Sequence, residues 1–426
     1  MSDVFPSVVA ERAPTGPVLR TTTAERIRLV PAPVPHPVPI PVDSPLRVEQ
    51  RLLRNMGEYE EPWTDLVQRT LEENPFYTPA FAGPAAQHLP DGRYVTAILV
   101  WAGPAAQRML VGFFPVILPR SGALPAAARL WQPPLMAFGV PLVDRDRAKA
   151  VIAAFLDHLG RRGLRGTGVL FPLLAEDGPF AVALRAVIGE TNRQMRVFAR
   201  HRRAILPASS SPDSFVTLQS ARKRKELRRQ LRRLEDLGAV SFTRAQAPGP
   251  VRDAVEQFLA IEASGWKAKA GTAILQQSGD VAFLRTMTRR MAHEGRCEVH
   301  VLNVGQRAIA AGIVLRSGDE AFFWKIAYDE AFARFSPGVQ LTLALSHAQL
   351  DDRTIAYTDS CAIANHPMID HLWRERLTIA DILVGTRSGS SMAMRLLARH
   401  EKGRRRLRVV AKAMCHRIAG WFARRD

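Results

Sequence analysis

Residues 322–350 read FFWKIAYDEAFARFSPGVQLTLALSHAQL. An apolar, aromatic run of strand character ends at Tyr328-Asp329, a short loop carries Ser336-Pro337-Gly338, and an apolar stretch of helical pattern follows at once. A strand that runs through a tight turn into a helix N-terminus suits a phosphate. First-turn N–H groups lack intrahelical partners, and the helix dipole is positive there. Gly338 permits close backbone approach, Ser336 is placed to cap the helix or donate to an oxygen, and Pro337 fits a first turn whose N–H would be unpaired anyway. The stretch is neither a Walker loop nor a dinucleotide fingerprint, because the glycines and the Gly-Lys-Ser/Thr that those motifs need are missing.

The elements around this junction occur twice. YVTAILVW (94–101) and RMLVGFFPVIL (108–118) predict a hairpin, followed by a strand near 129–138, a helix opened by Asp144, a strand at 168–174 and a helix at 178–189. In the second half, helices are expected at 250–265 and 280–294. A hairpin at 298–304 and 308–316, a strand at 320–329, a helix at 338–350, a strand at 354–360 and a helix at 366–375 then follow. The repeated order predicts an internal structural repeat of class α/β (α+β), each unit a mixed sheet flanked by helices. Between the units, QSARKRKELRRQLRRLEDLG (219–238) places Leu227, Leu231, Leu234 and Leu237 on one helix face and its arginines off it, with Gly238 as the stop.

A chain of 426 residues, 47% hydrophobic and 23% charged, can bury a large core. Its net charge of +19 is concentrated: residues 219–236 hold eight Lys/Arg against three Asp/Glu, and residues 386–426 hold twelve against two. Cys297, Cys361 and Cys415 are too scattered for a disulfide framework or a zinc site. His366 and His371, five apart, do not share a helix face, so no metal is expected. No Gly-x-Ser-x-Gly elbow supports serine hydrolysis. No signal peptide and no membrane span are expected, which points to the cytoplasm. The Pro-Val alternation in PAPVPHPVPIPVDSP predicts a disordered tail over 1–47. In 403–426, Leu407, Val410, Met414, Ile418 and Trp421 form a stripe complemented by Arg404, Arg405, Arg408, Lys412 and Arg424. That pattern suits a helix lying on the anionic inner face of the plasma membrane, or one packed on the protein body.

IEASGWKAKAGTAI (261–274), KIAYDEAFARFSPG (325–338) and TDSCAIANHPMIDHLW (358–373) resemble the CelD-type bacterial acetyltransferases, which are related to the tandem-GNAT FemAB transferases. The resemblance covers roughly 50–385 and implies GNAT-like units at 48–205 (acceptor or scaffold) and 206–385 (donor), followed by basic helices at 386–426. It implies an N-acyltransferase using acetyl-CoA or another acyl-CoA as co-substrate, acting on a small-molecule or lipid-linked amino sugar of envelope or exopolysaccharide synthesis. Ser336, Pro337, Gly338, Val339 and Lys325 would hold the donor. Asp329 or Asp359 would take the amine proton, and Tyr328 would protonate the leaving thiolate. Glu262, Trp266, Lys267 and His366 would meet the acceptor, with Glu262 and Trp266 sharing one side of a helix end. Plainer roles compete: Asp329 starting a loop, Tyr328 packing, and Trp266 anchoring the core. Two other functions stay open, a FemAB-like transferase using aminoacyl-tRNA on peptidoglycan precursors, and an idle scaffold.

Overall fold

The computed structural model of the chain describes residues 40–119, 127–133, 135–161, 167–210, 221–389 and 392–422, with side chains described as far as Leu407. Most of the tail expectation therefore lies outside the described residues, but Leu46 and Arg47 already belong to a strand. The first half comprises β1 (Leu46–Leu52), α1 (Glu60–Gln68), α2 (Pro79–His88), β2 (Thr96–Ala102), β3 (Met109–Ile117), β4 (Ala127–Leu130), β5 (Leu142–Val143), α3 (Ala148–Arg161), β6 (Gly168–Ala175), α4 (Pro179–Glu190) and β7 (Arg193–Pro207). The second half comprises α5 (Ala221–Glu235), β8 (Val240–Ala245), α6 (Pro248–Ser264), the short α7 (Trp266–Lys269), α8 (Ser278–His293), β9 (Cys297–Val304), β10 (Arg307–Ser317), β11 (Glu320–Tyr328), α9 (Pro337–Asp351), β12 (Tyr357–Asp359), β13 (Glu375–Ser388) and α10 (Met392–Phe422).

Among the described residues the strands form one mixed sheet in the order β1-β2-β3-β4-β6-β13-β7-β12-β11-β10-β9-β8, with β5 paired to β3. That order is a palindrome of two equivalent halves. Each half is an antiparallel run whose fourth strand pairs in parallel with the next: β4 with β6, and β11 with β12. The last strand of each half has crossed over. β13 pairs with β6 of the first half, and β7 pairs with β12 of the second. The exchanged strands pair with each other along most of their length, so no strand edge is left at the centre.

Several expectations need correction. The strand near 129–138 ends at Leu130, after which Trp131 donates its N–H to the Pro115 carbonyl and the chain leaves β4. Asp144 does not cap α3 directly. It accepts from the Asp146 N–H at 3.0 Å and pairs with Arg69 and Arg147. The helix expected at 366–375 is a single 3-10 turn, Ile369–His371, followed by β13. Leu237 lies beyond the end of α5 and is exposed. In α10, Met394 and Leu397 pack against Leu170 and Leu383. Arg404 binds Glu401, and Arg405 binds both Glu401 and Asp381, so these two arginines face the protein rather than forming a free basic face. Leu407 is exposed, and the side chains from 408 onward lie outside the described residues. No helix among the described residues is long and apolar enough to cross a membrane.

Aromatic side chains join the halves. Phe81 on α2 packs edge-on against Phe283 of α8, with ring centres 5.1 Å apart, and against Trp324 of β11 at 5.9 Å. Phe76 and Phe138 of the first half both meet Phe322. The core therefore runs through both halves without a break.

Candidate functional site

β11 and β12 pair only over Glu320–Phe322 and Tyr357–Asp359, and then diverge. β11 continues to Tyr328, while the chain after β12 leaves as the loop 360–371. A groove of about 310 Å³ opens in the gap, lined among others by Trp324, Lys325, Cys361, Ile363, His366 and Met368. A smaller recess of about 70 Å³ continues at Ile326 toward Tyr328, Glu262, Trp266 and Lys267. The first turn of α9 lies near the groove, next to Ile326 and Met368 of its lining. A Cβ built on Gly338 would lie 3.5 Å from the Tyr328 ring, 3.8 Å from Ile326 and 3.8 Å from the Met368 sulfur, which places this turn next to the end of β11 and the loop of the groove.

The Ser-Pro-Gly turn has an unusual backbone. Ser336 is left-handed, at φ 53° and ψ 49°, a conformation costing a non-glycine residue of order 1 kcal/mol. It ends the 3-10 turn Glu330–Phe335, donating its N–H to the Ala333 carbonyl, and it starts α9. Its hydroxyl makes no cap hydrogen bond, contrary to the sequence expectation. Instead its carbonyl accepts from the Val339 and Gln340 N–H groups. Pro337 has no N–H, so the Gly338 N–H remains without an intrachain acceptor among the described residues. The turn thus holds one amide without an intrachain partner, at buried Gly338, at the positive end of a 15-residue helix.

The two expected carboxylate bases are both engaged. Asp359 is fully buried: one oxygen accepts from the Cys361 N–H at 2.9 Å and the other is paired with Arg203. Arg203, on the exchanged strand β7, also donates to the Ala137 carbonyl at 2.6 Å. This buried pair ties the loop at the mouth of the groove to the first half and does not face a ligand. Asp329 caps the 3-10 turn through the Ala331 N–H at 3.0 Å and pairs with Arg307 at 2.6 Å, and it lines neither recess. Both assignments as proton acceptors are therefore set aside.

Other expected residues do converge. Tyr328 is exposed and sits beside Gly338. Lys325, half-buried in the groove, has its ammonium 5.0 Å above the Trp324 ring. Burial, reinforced by neighbouring Lys267, pushes its pKa down to about 8, against the opposing pull of Glu262 and Asp280. Glu262 is buried, holding Lys267 at 2.6 Å with one oxygen and the Ile274 N–H at 2.9 Å with the other. Trp266 is not a core anchor: it is 62% exposed. Gly265 interrupts the helix between them, so Glu262 and Trp266 share no helix face, and the Trp266 N–H is taken by Glu330 at 2.8 Å. His366 accepts through Nδ1 from the Met368 and Ile369 N–H groups at 3.3 and 3.4 Å, shaping the loop over the groove. Cys361 is a poor nucleophile, because burial and the nearby Asp359 raise its thiol well above its usual range. Sequence reasoning missed Arg203, which only its contacts with Asp359 and Ala137 distinguish from an ordinary surface arginine. Among the described residues no group of His, Cys, Asp or Glu is placed to hold a metal ion.

Residues 221–365 match the acetyltransferase (GNAT) domain family. No curated protein matches the chain by sequence. Among solved structures, FemX superposes with a TM-score of 0.51 at 9% identity, over 76% of this chain and 95% of FemX. The C-terminal domain of a putative lysylphosphatidylglycerol synthetase from Agrobacterium fabrum aligns at 13% identity with a TM-score of 0.46, over 80% of this chain and 95% of that one. A tandem GNAT protein from the clavulanic acid biosynthesis pathway aligns at 15% identity with a TM-score of 0.40, over 82% of this chain and all of that one. The second half thus contains a stretch similar to a GNAT acetyltransferase domain, set in a mixed α/β fold similar to that of FemX.

Proposed function

We propose that the chain is an N-acyltransferase that moves an acetyl or other acyl group from acyl-CoA to an amine in the groove beside β11. The observation that carries this reading is the open gap between β11 and β12, beside the strand-turn-helix junction into α9 and inside the GNAT-matched stretch. The residues fit such a donor. The helix terminus and the Gly338 N–H suit a pyrophosphate, Ser336 and Pro337 set the turn, partly buried Val339 packs beneath it, and the gap admits an extended arm. Tyr328, exposed at the turn, is the candidate to protonate the departing thiolate. Exposed Trp266, together with Lys267 and His366, borders the space left for the acceptor. By resemblance, that acceptor is an amino sugar, free or lipid-linked, of the cell envelope or an exopolysaccharide. The protein would then work at the cytoplasmic face of the membrane.

Calorimetric titration with acetyl-CoA tests the reading, with micromolar binding expected. Tight binding of aminoacyl-tRNA without acetyl-CoA binding would replace it with the FemAB-like alternative. The fold similarity to FemX and the basic face of α5, packed against α9 through Leu227, make that comparison worth running.

A further inference from the structure

β11 carries a bulge at its centre. Ile313 of β10 faces Lys325 and Val314 faces Phe323, which leaves Trp324 as the extra residue. A bulge breaks the strict alternation of a strand and re-aims the side chain that follows it. Trp324 packs inward on Phe81 and Phe283, and Lys325 lines the groove beside β11. The charged groups whose fields act on it are Glu262 from α6, Lys267 from α7 and Asp280 from α8. Glu262 is already held by Lys267 and the Ile274 N–H, so it acts on Lys325 only through space. Lys325 itself makes no hydrogen bond or ion pair with a described residue, and its ammonium rests over the Trp324 ring within the groove.

We infer that Lys325 is the proton acceptor for the incoming amine, placed by the β11 bulge in the groove that Cys361, His366 and Met368 also line. This rests on the acyltransfer reading and departs from a phosphate-clamp role for Lys325. In the step, the amine lone pair forms the new C–N bond and the thioester C–S bond breaks with its electrons on sulfur. The surplus amine proton passes to neutral Lys325 Nζ, and the thiolate takes a proton from the Tyr328 hydroxyl, which solvent reprotonates. An ammonium with a pKa near 8 is neutral in a large enough fraction at mildly basic pH to serve. A clamp for phosphate would need to stay charged.

Three measurements on the full chain test this. Competitive labelling with acetic anhydride between about pH 6 and pH 11, read by mass spectrometry, should give Lys325 an inflection near 8, well below the ordinary lysine value of about 10.4. Calorimetry should show Lys325→Arg and Lys325→Met binding acetyl-CoA within about twofold of wild type. Thiol release from acetyl-CoA, with glucosamine and a panel of simple amines, should fall about 100-fold in kcat for Lys325→Arg while KM for acetyl-CoA holds. An ordinary inflection for Lys325, a tenfold loss of acetyl-CoA affinity in Lys325→Met, or full turnover in Lys325→Arg overturns the inference alone. A wild-type protein that binds no acetyl-CoA overturns the acyl-CoA reading and this inference with it.

Discussion

In the first half, the chain leaving β4 folds back into the gap beside β6. In the second half, the chain leaving β11 runs on into a 3-10 turn and α9, and the gap stays open. The plug in the first half is backbone against backbone. The Gly139 N–H bonds the Leu173 carbonyl at 3.2 Å, and a Cβ at Gly139 would lie 2.0 Å from the Pro172 carbonyl oxygen. Trp131, Phe138 and Val140 of the same loop are buried. Two units of one topology therefore differ at the same point, one closing the gap to gain core and the other leaving it open. The closed unit also supports the open one, because Arg203 and Ala137 of the first half brace the Asp359 that begins the loop of the groove.

Removing that brace should have the largest effect. Arg203→Met leaves the Asp359 carboxylate buried and unpaired, an expected cost of about 3–5 kcal/mol. Chemical denaturation should record that loss, and a change within about 0.5 kcal/mol would show that the halves do not depend on the pair.

Two glycine substitutions then probe the asymmetry. Gly338→Asp adds a carboxylate at the α9 N-terminus, where the dipole favours it for folding, but it repels a phosphate. In the folded protein, acetyl-CoA affinity should fall about 100-fold. Gly139→Ala in the plugged half should do the opposite, costing about 1–3 kcal/mol of stability through overpacking while the folded protein binds donor normally. If Gly338→Asp binds normally, the donor lies elsewhere.

The smallest effect concerns a seam between the halves. Burial raises Glu72 to about 7 and Glu320 to about 8, and nearby Glu73 is raised as well. Tyr357 donates to Glu320 at 2.6 Å, and Ser317 donates to Glu73 at 2.7 Å. These carboxyls hold protons in the fold that the unfolded chain releases near its ordinary pKa. Their contribution is complete below about pH 4.5 and is lost as pH rises through 7 to 8. Thermal melts should therefore give a lower Tm at about pH 9 than at about pH 6, and Glu320→Gln should reduce the difference. Equal slopes in wild type and variant would remove Glu320 from the account.

Much of this fold can be read from residue spacing. The hairpins β2–β3 and β9–β10, the helices α6, α8 and α9, and the turn at Ser336-Pro337-Gly338 lie close to where periodicity and turn chemistry put them. β7 escaped notice because RQMRVFARHRRAILP is rich in arginine and lacks an apolar run. β13 was hidden behind an apparent helix in HPMIDHLWRE. Site residues were legible as a neighbourhood and not as roles. Asp329 and Asp359 look alike in sequence as acids that end strands, yet one caps a turn and the other is sealed against an arginine 156 positions away.

Periodicity and turn composition act over a few residues, so they suffice to specify each strand, each helix and the repeat of their order. Which strand lies beside which, the exchange of β7 and β13, the closing of one cleft and the charged surroundings of Lys325 depend on contacts between residues far apart in the chain. Such contacts are selected by packing and by the pairing of buried charge, and neither leaves a local signature in the order of amino acids.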